Sequence, residues 1–169
     1  MRDYEKQPDV SAINSSDVGA PGRDDIIKNL TEERDMLKRK LNIFGGWLYF
    51  KDSFYYIFPV KKPWQESQDD CRQRGADLVI VNSREEQDFL REFRRVTWIG
   101  LSDRETEGTW EWVDGTLLNK SFWKTGEPNN YGGRDEDCGT IQNYEQFNNW
   151  NDTPCKSENF WICEKIVDH

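Results

Sequence analysis

Two short stretches crowd oxygen-bearing side chains against a cysteine: EPNNYGGRDEDC at residues 127–138 and NNWNDTPC at residues 148–155. Together they offer Glu127, Asn129, Asn130, Asp135, Glu136, Asp137, Asn151 and Asp152, and SDRETEG upstream adds Asp103 and Glu107. Carboxylates alternating with amides on turn-rich backbone suit a hard cation. Calcium takes roughly six to eight oxygens from carboxylates, amide carbonyls, backbone and water, with tolerant geometry. The amides supply neutral oxygens and limit repulsion, whereas carboxylates gathered on one loop without a cation would repel one another. The plainer reading is that Asn, Asp and Gly are favoured in solvated turns anyway. Composition alone does not separate the two.

Other chemistries are poorly served. The only histidine is the terminal His169, and none of Cys71, Cys138, Cys155 and Cys163 falls in a CxxC pair. That argues against a Cys/His zinc site and against Ser-His-Asp or Cys-His catalysis. Paired carboxylates hydrolyse glycosides in some enzymes, but here they are better explained as ligands, so no enzyme is expected. The net charge of −9 argues against a nucleic-acid partner, which needs clustered positive charge.

An even number of cysteines in a Trp-rich chain reads as two disulfides in an oxidising compartment, with all three connectivities open. Sequons at Asn14, Asn29 and Asn119 fit an extracellular location. No apolar run has the length of a membrane span, and the N-terminus lacks an export-signal core.

The elements that must position the oxygen clusters are readable from pattern. Residues 1–22 lack apolar periodicity and read as disordered. Residues 23–44 place Ile27, Leu30, Leu37, Leu41 and Phe44 at alternating spacings of three and four, with Arg34 at the intervening core position. This predicts a helical coiled-coil neck that either lies on the following domain or associates with other copies. From residue 45 to 169 the texture is that of an α+β domain. WLYFKDSFYYIFP reads as strands, and KPWQESQDDCRQRGADLVIV as a helix carrying Cys71 followed by a short strand. SREEQDFLREFRR reads as a second helix with Ser83 as N-cap and Glu86 at the capping-box position. VTWIGLSD, GTWEWVDG and NFWICEK read as strands, with Trp98, Trp110, Trp112 and Trp161 in the core. Between Gly115 and Phe160 lies a long stretch of little periodicity, in which Trp150 anchors the loop ahead of Asn151 and Asp152. So long a loop is functional, or is held by something other than a core.

The motifs WIGLSD, GTWEWVDG, EPN, EDC, WND and FWICE, in that order between Trp47 and Lys165, resemble the carbohydrate-recognition domain of the C-type lectin family. The resemblance implies two helices, antiparallel sheets and a long calcium-binding loop region. It implies a principal calcium held by Glu127, Asn129, Glu136, Asn151 and Asp152, and a supporting calcium held by Asp103, Glu107, Asn130 and Asp137. It also implies the disulfides Cys71–Cys163 and Cys138–Cys155. A further pair found in long-form relatives is missing here, with Ile43 and Phe54 at the corresponding positions.

In the family, EPN is associated with equatorial hydroxyls, hence mannose, fucose or N-acetylglucosamine, and with a cis peptide before the proline. Glu127 and Glu136 then accept hydrogen bonds from two sugar hydroxyls while Asn129 and Asn151 donate to them. Tyr131 lies where a ring packs on the sugar. The loop from Glu127 to Cys138 is a residue or two longer than in many relatives. Asn151 also opens a nominal sequon, NDT, which is expected to stay unmodified. Neck and domain together resemble the extracellular half of type II immune lectin receptors, including the dendritic-cell mannose receptors. That implies innate-immune recognition of mannose-type glycans by a homo-oligomer. The alternative is a lectin-like domain that binds protein without calcium.

Overall fold

The computed structural model describes residues 22–43, 45–142 and 144–167, with the backbone alone for 34–43. Of residues 1–22, expected to be disordered, all but Gly22 lie outside the described residues, as do the side chains of Arg34, Leu37, Leu41 and Phe44. Two compact units are present, Met1–Arg39 and Lys40–His169.

Helix α1 spans Arg23–Ile43. Asp24 and Asp25 stand in its first turn, where negative charge complements the helix dipole. Asp25 also accepts from the Gly22 N–H. Ile27 and Leu30, two members of the apolar stripe, are 51% and 60% exposed.

The second unit is built on an eight-stranded sheet. Strands β1 (Leu48–Phe50) and β2 (Ser53–Ile57) form a hairpin, and α2 (Trp64–Gln73) leads to β3 (Asp77–Leu78) and α3 (Arg84–Arg91). Then come β4 (Thr97–Ser102), β5 (Glu111–Trp112), β6 (Cys138–Ile141), β7 (Trp150–Thr153) and β8 (Phe160–Ile166). The order is β1-β2-β8-β4-β6-β7, with β3 also on β8 and β5 on β4.

The strand pairs are antiparallel as expected except one, which makes the sheet mixed: β4 runs parallel to β8, Thr97 facing Phe160. The long connection between these strands permits a parallel return that a hairpin could not make. Strands β6 and β7 lie inside the stretch that showed no periodicity. Every residue of β6 is buried, so the alternation that marks a half-exposed strand is missing.

Two disulfides tie the layers together. Cys71–Cys163 joins α2 to β8, and Cys138–Cys155 joins β6 to the segment after β7. Trp98, Trp150 and Trp161 are fully buried, with Trp110 and Trp112 nearly so. Ser83 caps α3 as expected, accepting from the Glu86 N–H at 3.2 Å. The Glu86 carboxylate does not complete the capping box. It turns inward, taking the Tyr55 hydroxyl at 2.6 Å and the Asn82 N–H at 2.9 Å. Tyr55 also donates towards Glu164, so a buried hydroxyl bridges two carboxylates.

Candidate functional site

The β6–β7 pair is the platform. Gly139 stands opposite Asp152 and Thr140 opposite Asn151. Trp150, just ahead of these two, is locked from behind: its indole N–H donates to Gln87 Oε1 at 2.9 Å. The Gln87 amide in turn donates to the Phe147 carbonyl at 2.8 Å and to Asn149 Oδ1 at 2.7 Å. A buried glutamine on α3 thus fixes both the approach to β7 and the indole beneath it.

The segment carrying Glu127 hangs on the same strand. Lys124 N–H donates to the Trp150 carbonyl, and the Trp123 ring packs edge-on against Trp150. The chain then turns through Gly126 at φ 93° into a cis Glu127–Pro128 peptide.

Asp152 is the hub that holds the turn after this peptide. Its Oδ2 accepts from the Asn129 N–H at 2.8 Å and the Asn130 N–H at 2.7 Å. Its Oδ1 is buried with no partner, as is Glu127 Oε2. Burial pushes the Glu127 carboxyl above its ordinary range, and the neighbouring Asp152 adds to this, while Lys124 opposes it. The loop beyond closes on itself: Tyr131 N–H donates to Glu136 Oε2 at 2.8 Å, and Glu136 N–H donates to Asn130 Oδ1 at 3.0 Å.

A second pair of acids sits alongside. Asp103 N–H donates to the Asp137 carbonyl, and Asp103 Oδ2 accepts from the Gly108 N–H at 2.9 Å. Asp103 Oδ1 and Asp137 Oδ1 are buried and unpartnered. Burial raises both carboxyls, and Glu107 is a like-charged neighbour of each. The Asn130 amide bridges back to Glu107 Oε1 at 2.7 Å. A cleft of about 270 Å³ runs between Asp103, Glu107, Asn129, Asn130 and Asp152.

The structure therefore gathers Glu127, Asn130, Glu136 and Asp152 on one side, and Asp103, Glu107 and Asp137 on the other, with Asn130 joining the two. Some expected members are held differently. The Asn151 side-chain amide donates to the Asp152 carbonyl of its own strand. Tyr131 is 74% exposed and makes no ring contact among the described residues. Asp135 is exposed as well. Among the described residues no three acidic, histidine or cysteine side chains converge on one point. Amides and backbone lie between the acids, and only the unpartnered oxygens fall in pairs, Glu127 with Asp152 and Asp103 with Asp137.

Sequence reasoning missed Gly108, whose N–H orients Asp103, and Trp110, which lines the cleft. Gly108 sits at φ 76°, and a glycine ending SDRETEG was the available signal.

Four buried carboxylate oxygens in two like-charged pairs, all without protein donors, are a donor set that fits divalent cations. The chain has relatives in sequence and in fold. The profile of the Lectin C-type domain matches residues 60–165.

The chain belongs to the C-type lectin family. Its members are carbohydrate-binding receptors rather than enzymes. It is 44% identical over 126 residues to the C-type lectin domain family 4 member M of Nomascus concolor, covering 70% of this chain and 30% of the relative. The Homo sapiens CD209 antigen is 43% identical over 126 residues, again covering 70% of this chain and 30% of the relative. The match thus spans less than a third of either relative's length.

Among solved structures, the trimeric Kupffer cell C-type lectin receptor Clec4f superposes with a TM-score of 0.68 at 38% identity. That superposition covers 83% of this chain and 96% of Clec4f. The cow C-type carbohydrate-recognition domain of CD23, determined in the presence of a GlcNAc2Man3 oligosaccharide, gives 0.67 at 36% identity. Here the coverage is 73% of this chain and 95% of the CD23 domain. No described helix of this C-type lectin is long and apolar enough to cross a membrane.

Proposed function

We propose that this C-type lectin binds mannose-type glycans (mannose, fucose or N-acetylglucosamine) through calcium, outside the cell, on glycoproteins or microbial surfaces. One observation carries the reading: Glu127 Oε2, Asp152 Oδ1, Asp103 Oδ1 and Asp137 Oδ1 are buried carboxylate oxygens with no donor to satisfy them. Leaving charge buried and unpaired is costly, and a divalent cation answers both pairs. Glu127, Asn129, Glu136, Asn151 and Asp152 would hold the principal ion, and Asp103, Glu107, Asn130 and Asp137 the supporting one. When bound, the principal calcium supplies positions at which two adjacent hydroxyl oxygens replace water.

The chain's own groups do the rest. Asp152 fixes the Asn129–Asn130 backbone, so the side chains on either side of Pro128 are presented from a rigid turn. Glu127 and Glu136 accept from the sugar hydroxyls, and Asn129 and Asn151 donate to them. The Asn151 amide leaves the Asp152 carbonyl to do so. Tyr131, exposed at the start of the loop, offers a ring to the sugar face.

The domain organisation fits multivalency. Residues 1–22 are a polar lead, 23–44 a coiled-coil neck, and 45–169 the carbohydrate-recognition domain. The exposed Ile27 and Leu30 favour burial between copies, so the neck makes a homo-oligomer and raises weak single-site affinity through effective concentration. Innate-immune recognition is the setting this suits.

Glycan-array binding in calcium, in excess chelator and with the double substitution Glu127→Gln, Asn129→Asp tests the reading. Chelator-sensitive binding to mannose or fucose that the substitution abolishes or redirects is expected. Binding that survives chelator would move recognition off these loops.

A further inference from the structure

The sequence holds four Asn-x-Ser/Thr motifs, and the sugar site accounts for one of them. Asn14 lies outside the described residues, and Asn29 stands on α1. The remaining two, Asn119-Lys120-Ser121 and Asn151-Asp152-Thr153, occupy opposite kinds of backbone.

Asn119, Lys120 and Ser121 are all exposed and lie in no helix or strand. The excursion is pinned at both ends. Leu118 N–H donates to the Trp110 carbonyl at 2.9 Å, and the Phe122 carbonyl accepts from Asn149 and Trp150 at 2.8 and 2.9 Å. Phe122 packs edge-on against Trp150 at 5.3 Å. A rigid base therefore holds up three residues whose side chains make no hydrogen bond among the described residues. A bulky, solvated group on Asn119 would displace nothing.

Asn151 is half-buried in the middle of β7, paired with Thr140 on β6. The hydroxyl its motif requires, Thr153 Oγ1, is within 3.1 Å of Thr140 Oγ1, and Thr140 also donates to the Asn151 carbonyl. In the folded chain a transferase reaching Thr153 Oγ1 would have to open the β6–β7 pair that carries Asp152.

We propose that Asn119 is an N-glycosylation site and that Asn151 stays bare. The inference rests on the extracellular placement proposed for this lectin, not on its sugar chemistry. The donor is an oligosaccharide linked to a polyprenyl diphosphate. Asn119 Nδ2 forms the bond to the anomeric carbon, and the bond from that carbon to the diphosphate oxygen breaks. The polyprenyl diphosphate leaves with the electron pair, and one Nδ2 proton passes to the transferase's base. No oxidation state changes.

The full chain, routed through the secretory pathway of a eukaryotic host, is treated with a glycan-releasing amidase in heavy-oxygen water and its peptides are mapped. The peptide holding Asn119 is expected to return as aspartate carrying the heavy label, and the peptide holding Asn151 as unlabelled asparagine. Asn119→Gln and Ser121→Ala should each remove one glycan's mass from the secreted protein. An unlabelled Asn119 in secreted, folded wild-type chain would overturn the proposal, as would label on Asn151. The wild-type map decides even if a variant fails to be secreted. Because this readout does not depend on calcium, a labelled Asn119 without glycan binding would refute only the sugar-binding reading. Calcium-dependent glycan binding with Asn119 unlabelled would refute only this one.

Discussion

Replacing Asp152 by asparagine separates the two jobs of that residue. Its Oδ2 holds the Asn129 and Asn130 N–H groups, while Oδ1 and the nearby Glu127 Oε2 are both unpartnered. In Asp152→Asn the amide oxygen takes over the two backbone bonds. Their acceptor is now neutral, at a cost of about 1 kcal/mol each. The new amide N–H₂ stands in place of Oδ1 and donates to Glu127, a bond to a charged group contributing about 2 kcal/mol. It also removes one of two like charges. Without calcium the variant should therefore match wild type to within about 1 kcal/mol.

Calcium, bound as proposed, should break the tie. A ligand at a hundred times its Kd stabilises the native state by about 2.7 kcal/mol, which for a domain of this size raises Tm on the order of 10 °C. The variant, lacking a ligand charge, should gain little of that. Thermal unfolding of both proteins, in chelator and in millimolar calcium, reads the effect directly. If Asp152→Asn lost several kcal/mol in chelator, or kept the full calcium shift, the assignment of the two oxygens would be wrong.

Gln87→Leu removes the buried partner of the Trp150 indole N–H and of the Phe147 carbonyl, and takes one hydrogen bond from Asn149 Oδ1. Urea unfolding should show a loss of about 3 kcal/mol or more with an unchanged m value. Gly100→Ala places a Cβ 2.7 Å from the Leu78 carbonyl and 2.8 Å from Val113 Cγ2. Both neighbours are held in place, so overpacking of about 1–3 kcal/mol is expected in the same assay. Glu86, pushed by burial up to about 7 from 4.5, binds its proton more tightly in the folded chain than in the unfolded one. Its contribution is complete below the unfolded value and is lost as pH rises through about 7, so metal-free stability should fall by about 3 kcal/mol between mildly acidic and mildly alkaline pH. Glu86→Gln should flatten that slope, and an unflattened slope would place the titration elsewhere.

The helices and the outer strands were legible because their signals are local. Ser83 before an acidic first turn announced α3, and alternating aromatics announced β1 and β2. Strands β6 and β7 were not, because each is four residues long and β6 is buried throughout, which erases period-two alternation. The parallel β4–β8 contact was equally hidden: it joins segments more than fifty residues apart through a connection with no regular pattern. Glu86 shows the limit of motif reasoning even where the element is right. The capping-box position predicted a bond within its own helix, but burial beneath β2 offered a tyrosine hydroxyl and another N–H instead.

In the candidate site, residue types were readable and side-chain directions were not. The sequence brings EPN, EDC and WND together only through β6, β7 and the Trp150–Gln87 lock, which no spacing reveals. What the fold adds is a division of labour within single carboxylates. Asp152 and Asp103 each give one oxygen to backbone N–H groups and leave the other bare, and the bare oxygens belong to like-charged pairs. The calcium ligand set proposed above needs that arrangement: one oxygen of each acid fixes the loop backbone, and its twin keeps its lone pairs for a cation. A merely acidic loop would need no such split.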